Sequence, residues 1–99
     1  MKKRLRASRR IWLQLDRASS WWRQNREKAP DAFDFDIAEA FDRIRTHSDI
    51  GIPVRSRRGG VRSLWLERIG YFLYYRVVNE DTVEILSVWH AARGSRPQF

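Results

Sequence analysis

YFLYYRVVNEDTVEILSVW, residues 71–89, is the stretch whose reading decides the fold. Two runs rich in β-branched and aromatic residues flank a polar break at Asn79, Glu80 and Asp81, the pattern of a β-hairpin with a loop of about three residues. If Val78 opposes Thr82, then Val77 faces Val83, Tyr75 faces Ile85 and Arg76 faces Glu84, so apolar residues meet each other and the one inward-looking charge meets its opposite. A slip by one residue would set Val77 against Glu84 and Arg76 against Ile85, a poorer match in each pair. The first register therefore predicts a structural pair, Arg76 with Glu84. It also predicts one hairpin face carrying Leu73, Tyr75, Val77, Val83 and Ile85, and another carrying Phe72, Tyr74, Leu86 and Val88. Both faces are apolar, so both need cover. A chain of this length has helix enough for one, and the other face awaits a partner.

Working outward, the 99 residues make one domain, near the commonest domain size, with residues 91–99 a polar tail. There is no cysteine, which excludes disulfides and thiolate metal sites. The only histidines are His47 and His90, and no metal site or cofactor is expected. No apolar run approaches the ~20 residues of a membrane span, and the basic start MKKRLRASRR has no uniform apolar segment after it, so a cytoplasmic location without membrane contact is expected.

The net charge of +8 suits a polyanion or an acidic protein as partner, but its distribution says more than its sum. Residues 1–28 hold ten Lys or Arg, 29–54 hold six Asp or Glu, and 55–68 hold five Arg. Charge that alternates by segment neutralises itself within a fold, leaving a smaller positive excess outside.

In order along the chain, residues 3–7 read as a Lys- and Arg-rich edge strand, a composition that resists edge-to-edge aggregation. Ser8 is placed to cap a helix over 9–26, whose stripe is Ile11, Leu15, Ala18 and Trp22. Trp12, Leu13 and Trp21 lie off that stripe and read as a broadened core contact. Ala29 and Pro30 break the pattern. A second stripe of Phe33, Ile37, Ala40, Phe41 and Ile44 predicts a helix over 31–47, with Asp31, Asp34 and Asp36 in its first turns, where the helix dipole favours them. Gly51 and Pro53 end it. Arg55, Arg57 and Arg58 form a basic loop and, with Arg93, a candidate contact for a polyanion or target, and 61–68 alternates with strand period. The expected order is β-α-α-β-β-β, an α+β fold with a helical hairpin packed on an antiparallel sheet.

These residues carry a resemblance. LDRASSWWRQNREKAPDAF at 15–33, IGIPV at 50–54, VRSL at 61–64, YYRV at 74–77 and ILSVWHAAR at 85–93 together resemble the RelE/ParE superfamily of toxins from type II toxin–antitoxin (plasmid stabilisation) systems, and the ParE-like branch most. The likeness covers nearly the whole chain, and the WHxxR ending after a YYRV strand is its most specific part. It implies a growth-inhibiting toxin held by a cognate antitoxin, which the face of Phe72, Tyr74, Leu86 and Val88 would receive. In the superfamily, one branch cuts mRNA on the ribosome and the ParE branch is associated with poisoning DNA gyrase. Glu67 stands where the nuclease branch tends to carry arginine, which favours gyrase over message. Were the chain a ribonuclease, His90 or Glu67 would move protons, and Arg62 and Arg93 would hold the phosphate.

Overall fold

In the computed structural model residues 2–92 are described, and residues 93–99, the greater part of the expected polar tail and Arg93 with it, lie outside the described residues. The elements are β1 (Arg4–Ala7), α1 (Arg9–Asn25), α2 (Ala32–Thr46), β2 (Ile52–Pro53), β3 (Val61–Leu66), β4 (Tyr71–Val77) and β5 (Thr82–His90). Two helices lie on one face of a five-stranded sheet of order β1-β5-β4-β3-β2. Among the described residues no helix is long and apolar enough to cross a membrane.

The sheet differs from the expected antiparallel one in two respects. β1 runs parallel to β5, Arg4 opposite Thr82 through Ala7 opposite Ile85, which makes the sheet mixed. Its placement is enforced by main-chain bonds that no side-chain pattern encodes: Lys3 N–H to Arg45 O at 2.9 Å and Arg4 N–H to Asp81 O at 2.6 Å. The second difference is β2, a two-residue strand against β3 in what reads as a loop. Pro53 fits there because β2 is the sheet's edge, where a missing N–H costs no ladder bond.

The hairpin register starts as the pairing argument requires, with Val77 opposite Val83, Arg76 opposite Glu84 and Tyr75 opposite Ile85. It then shifts. Tyr74 pairs with Ser87, Leu73 with Val88 and Phe72 with Trp89, so Leu86 is an extra residue in β5, a β-bulge. One inserted residue exchanges the faces of everything beyond it. Val88, expected on the partner-facing side with Phe72 and Tyr74, is instead buried in the core under the helices, at 3 % exposure.

That core joins Ile11, Leu15 and Trp22 of α1 and Phe33, Ile37, Ala40 and Ile44 of α2 to Leu73, Tyr75, Val83, Ile85 and Val88 of the sheet. Ser8 caps α1 as its position suggests, its Oγ accepting the Ile11 N–H at 3.3 Å. Trp22 also closes the interhelical connection, its Nε1–H donating to Ala29 O at 2.8 Å. Trp12, Leu13 and Trp21 do not broaden the core: each is more than 40 % exposed. Trp12 meets Phe41 of α2 edge-on at 6.3 Å, and nearer the end of α1 its contacts with α2 are polar. Ser19 donates to Asp34 at 2.6 Å, and Arg23 pairs with Asp34 and Asp31. Hydrogen bonding by Ser19, with Arg23 beside it, holds the Asp34 carboxyl below the usual carboxylate range. Arg68 grips Asp36 through two bonds of 3.0 and 2.5 Å, and Lys2 pairs with Asp42. Alternating segment charges thus meet across elements.

Arg76 faces Glu84 in the ladder, yet the carboxylate's ion pairs among the described residues are with Arg6 at 3.4 Å and Arg58 at 3.6 Å. Arg76 Nε turns to Gly59 O at 3.3 Å. The pair inferred from register is thus an opposition of backbones, and the charge is met by neighbours on both sides.

One buried hydroxyl fixes how the helical layer returns to the sheet. Tyr75 Oη donates to Ser48 O at 2.8 Å and accepts the Gly51 N–H at 2.9 Å. A Cβ on Gly51 would stand 2.6 Å from that hydroxyl and 2.9 Å from Ser63 O, so glycine is required by close approach. Burial pushes the Tyr75 phenol above its ordinary value of 10.0.

Three outcomes follow for stability measured by urea unfolding. Gly51→Ala should cost about 1–3 kcal/mol, since the methyl displaces a side chain and a strand carbonyl. Tyr75→Phe should cost about 1–3 kcal/mol at neutral pH by orphaning the Gly51 N–H and the Ser48 carbonyl. The folded state holds the phenolic proton longer than the unfolded chain does. The parent therefore loses stability as pH rises above about 10, and the deficit of Tyr75→Phe against it should narrow there. Arg76→Ala should cost less than about 1 kcal/mol, because Glu84 keeps two other guanidinium partners at exposed positions; a loss of several kcal/mol would show the cross-strand ion pair to be real.

Candidate functional site

The sheet face turned away from the helices is ordered in ranks that run across the strands. Trp65, Phe72 and Trp89 stand in one rank, Ser63, Tyr74 and Ser87 in the next, and Val61, Arg76, Glu84 and Arg6 in a third. Trp65 and Phe72 stack with ring centroids 4.7 Å apart, and Phe72 lies 6.1 Å from Tyr74. Aromatic residues occupy the end near the β3–β4 turn, and charge occupies the end near the hairpin loop. Of the four positions expected to receive a partner, Phe72 and Leu86 are half-buried, Tyr74 is buried within the aromatic group, and Val88 is on the opposite face.

The basic loop borders the charged end. Gly59 and Gly60 both have φ near +70°, a backbone that side chains resist, and this turns the loop so that Gly60 O accepts the Val77 N–H at 3.0 Å. Arg58 reaches Glu84, while Arg55 and Arg57 remain exposed. These guanidiniums extend the charge of the third rank.

Of the residues that a ribonuclease reading would use, Arg62 stands apart from His90 and Glu67. His90 is in rank with Tyr71 and Leu66, next to the turn that carries the exposed Glu67, whereas Arg62 is in rank with Tyr75. The separation along the strands is four residues, about 13 Å. Arg62 is also engaged, its Nη1 donating to Gly51 O at 2.7 Å and Asp49 O at 3.1 Å. His90 packs edge-on against Tyr71 at 4.9 Å and Trp21 at 6.3 Å, and its Nδ1 accepts the Ala92 N–H at 3.1 Å. Arg93 lies outside the described residues.

His90 borders a second feature that the sequence pattern did not single out, a groove of about 590 Å³ between α1 and the end of β5. Arg10, Gln14, Arg17 and Trp21 form its helical wall, and Val88 and His90 its sheet wall. The available signal was Trp21, apolar and off the buried stripe. Among the described residues no group of three or more His, Cys, Asp or Glu is placed to hold a metal ion.

The family model for the ParE toxin of the type II toxin–antitoxin system, parDE, matches residues 5–94. Among solved structures, one described as a chromosomal ParDE TA system from P. aeruginosa is similar at a TM-score of 0.68 and 26 % identity, over 90 % of this chain and 96 % of that one. No curated protein matches. The family match takes in every strand and both helices apart from the first residue of β1, and the solved structure shares their arrangement, so the chain belongs to the ParE toxin family of type II toxin–antitoxin systems.

Proposed function

We propose that this toxin inhibits growth by poisoning DNA gyrase through protein contact, and that a cognate antitoxin neutralises it. The observation that supports contact over chemistry is the separation of Arg62 from His90. Cleavage of RNA through its 2′-hydroxyl needs a base, an acid and a cation within hydrogen-bond reach of one phosphate. Here Arg62 is engaged with two backbone carbonyls and stands about 13 Å along the sheet from His90. Protein contact needs no such convergence.

The open sheet face suits the antitoxin. Phe72, Tyr74 and Leu86 form its apolar part, and the half-exposed Trp65, absent from the sequence-based set, belongs with them. Arg55, Arg57 and Arg58 suit the target, because exposed guanidiniums raise encounter rates with an acidic surface or with the DNA that gyrase holds.

Two assays in parallel test the target: purified toxin added to gyrase with supercoiled plasmid, and to a translating extract. Loss of gyrase activity with intact message is expected. His90→Phe, which retains an aromatic ring beside Tyr71 and Trp21, should leave growth inhibition within about threefold of the parent, since a group that only packs contributes no proton transfer. Cleaved message with unaffected gyrase, abolished by His90→Phe, would replace this reading with that of a ribosome-dependent endoribonuclease.

A further inference from the structure

The charged end of the open sheet face holds more cation than its carboxylate uses. Arg6 approaches Glu84 from β1 at 3.4 Å, Arg58 approaches it from the basic loop at 3.6 Å, and Arg76 stands opposite it on β4. Three guanidiniums thus share a single carboxylate. Both contacts are longer than the ~2.9 Å of a charge-assisted hydrogen bond. Glu84 Oε1 is buried and has no hydrogen-bond partner among the described residues, so the carboxylate gathers the guanidiniums by charge without taking up their donors.

Those donors remain available. Among the described residues Arg6 and Arg58 make no side-chain hydrogen bond, Arg76 uses only Nε, on Gly59 O at 3.3 Å, and the Arg6 and Arg58 side chains are each 55 % exposed. The rank runs from β1 through β5 and β4 to β3, three strand spacings or about 14 Å. Arg55 and Arg57, exposed and without an ion pair among the described residues, continue it into the loop. Glu80 and Asp81 lie beyond the strand ends, in the hairpin loop, and mark its limit there. No large apolar side chain is exposed in this row: Val61 is 2 % exposed, and residues 55–60 read RSRRGG. A protein partner would want an apolar centre to its contact, whereas a nucleic-acid backbone wants cations spaced along a line. A single strand would also want a ring on which to stack its bases, and the exposed ring of this face, Trp65, is four residues along β3 from Val61, about 13 Å away.

We infer that Arg6, Arg58 and Arg76 hold backbone phosphates of duplex DNA, with Glu84 keeping the guanidiniums gathered while no DNA is bound. The inference rests on the gyrase reading for the source of the phosphates and deepens it: the toxin touches the DNA that the enzyme holds as well as the enzyme. It also assigns separate work to the two ends of the sheet face, the aromatic end to the antitoxin and the charged end to DNA. Because Glu84 repels the phosphates that its own partners attract, removing its charge should tighten DNA binding, an effect of opposite sign to the one expected of a carboxylate that only serves the fold.

The test measures binding of the full-length toxin to a short labelled DNA duplex of arbitrary sequence, and to a single-stranded RNA of equal length, over a range of salt concentrations. The variants are Glu84→Gln, Arg58→Ala/Arg76→Ala and, as a control of equal charge change, Arg10→Ala/Arg17→Ala, each shown to be folded by urea unfolding and each assayed for gyrase inhibition. Glu84→Gln should bind the duplex about threefold or more tighter, and Arg58→Ala/Arg76→Ala about tenfold or more weaker with a log–log salt slope smaller by about 2, while the control stays within about threefold of the parent. Gyrase inhibition should weaken for Arg58→Ala/Arg76→Ala and not for the control. Equal losses in the two double variants, with no gain for Glu84→Gln, would reduce the attraction to diffuse charge and overturn the inference. RNA held more tightly than the duplex through the same arginines would overturn it in favour of RNA. Gyrase inhibited alike by the parent and by Arg58→Ala/Arg76→Ala would overturn it while leaving gyrase as the target. Duplex binding that depends on these arginines, with gyrase unaffected by the parent toxin, would uphold the phosphate site and overturn the gyrase reading.

Discussion

A single extra residue in β5 sets what each surface of this domain is for. Up to Ile85 the hairpin follows strict alternation, and beyond Leu86 it follows the opposite alternation. The cost is one unpaired backbone position, and the return is that Val88 joins the core while Trp89 joins Phe72 and Trp65 on the open face. Without the bulge, the end of the strand would present Trp89 to the helices and Val88 to the outside. The aromatic rank and the groove beside α1 both depend on that residue.

The same residue marks the boundary of what the sequence discloses. Near the turn, opposite charges and matched apolar pairs left one acceptable register, and the structure adopts it. Farther out, Leu86, Val88 and Trp89 are all apolar, so periodicity does not distinguish a bulged strand from a regular one. α1 was legible because a capping serine precedes a clear stripe. β1 was legible as a strand but not in its partner, since four residues alternating Arg with Leu or Ala give no hint of parallel pairing with a strand most of the chain away. β2 was not legible, because its proline reads as a terminator and its pairing is decided by Tyr75 and Arg62 holding the preceding corner. Of the site, the basic loop and the aromatic positions could be read, whereas the groove arises from α1 and β5 coming together and has no local pattern.

Electrostatics here arrange more than they stabilise. Arg23 with Asp34, Arg68 with Asp36 and Arg6 with Glu84 each join different parts of the fold, and each has an exposed arginine, so individually they contribute little. Their joint effect is to pair the basic first helix with the acidic second and to leave guanidiniums without an ion pair among the described residues on two surfaces, the loop at Arg55 and Arg57 and the groove at Arg10 and Arg17. Burial of Leu73, Tyr75, Val83 and Ile85, each at 0–1 % exposure, provides the stability that this arrangement draws on.

The parallel contact of β1 with β5 has a consequence for synthesis. It joins the first strand made to the last, Arg4 opposite Thr82 and so 78 residues apart, and closing so long a loop opposes early pairing. On a ribosome, β1 has no partner until Thr82–His90 has emerged, and until then Val83, Ile85 and Val88 are missing from beneath both helices. The sheet is therefore incomplete for most of the time the chain takes to make, and its finished surfaces exist only once β5 has joined the fold.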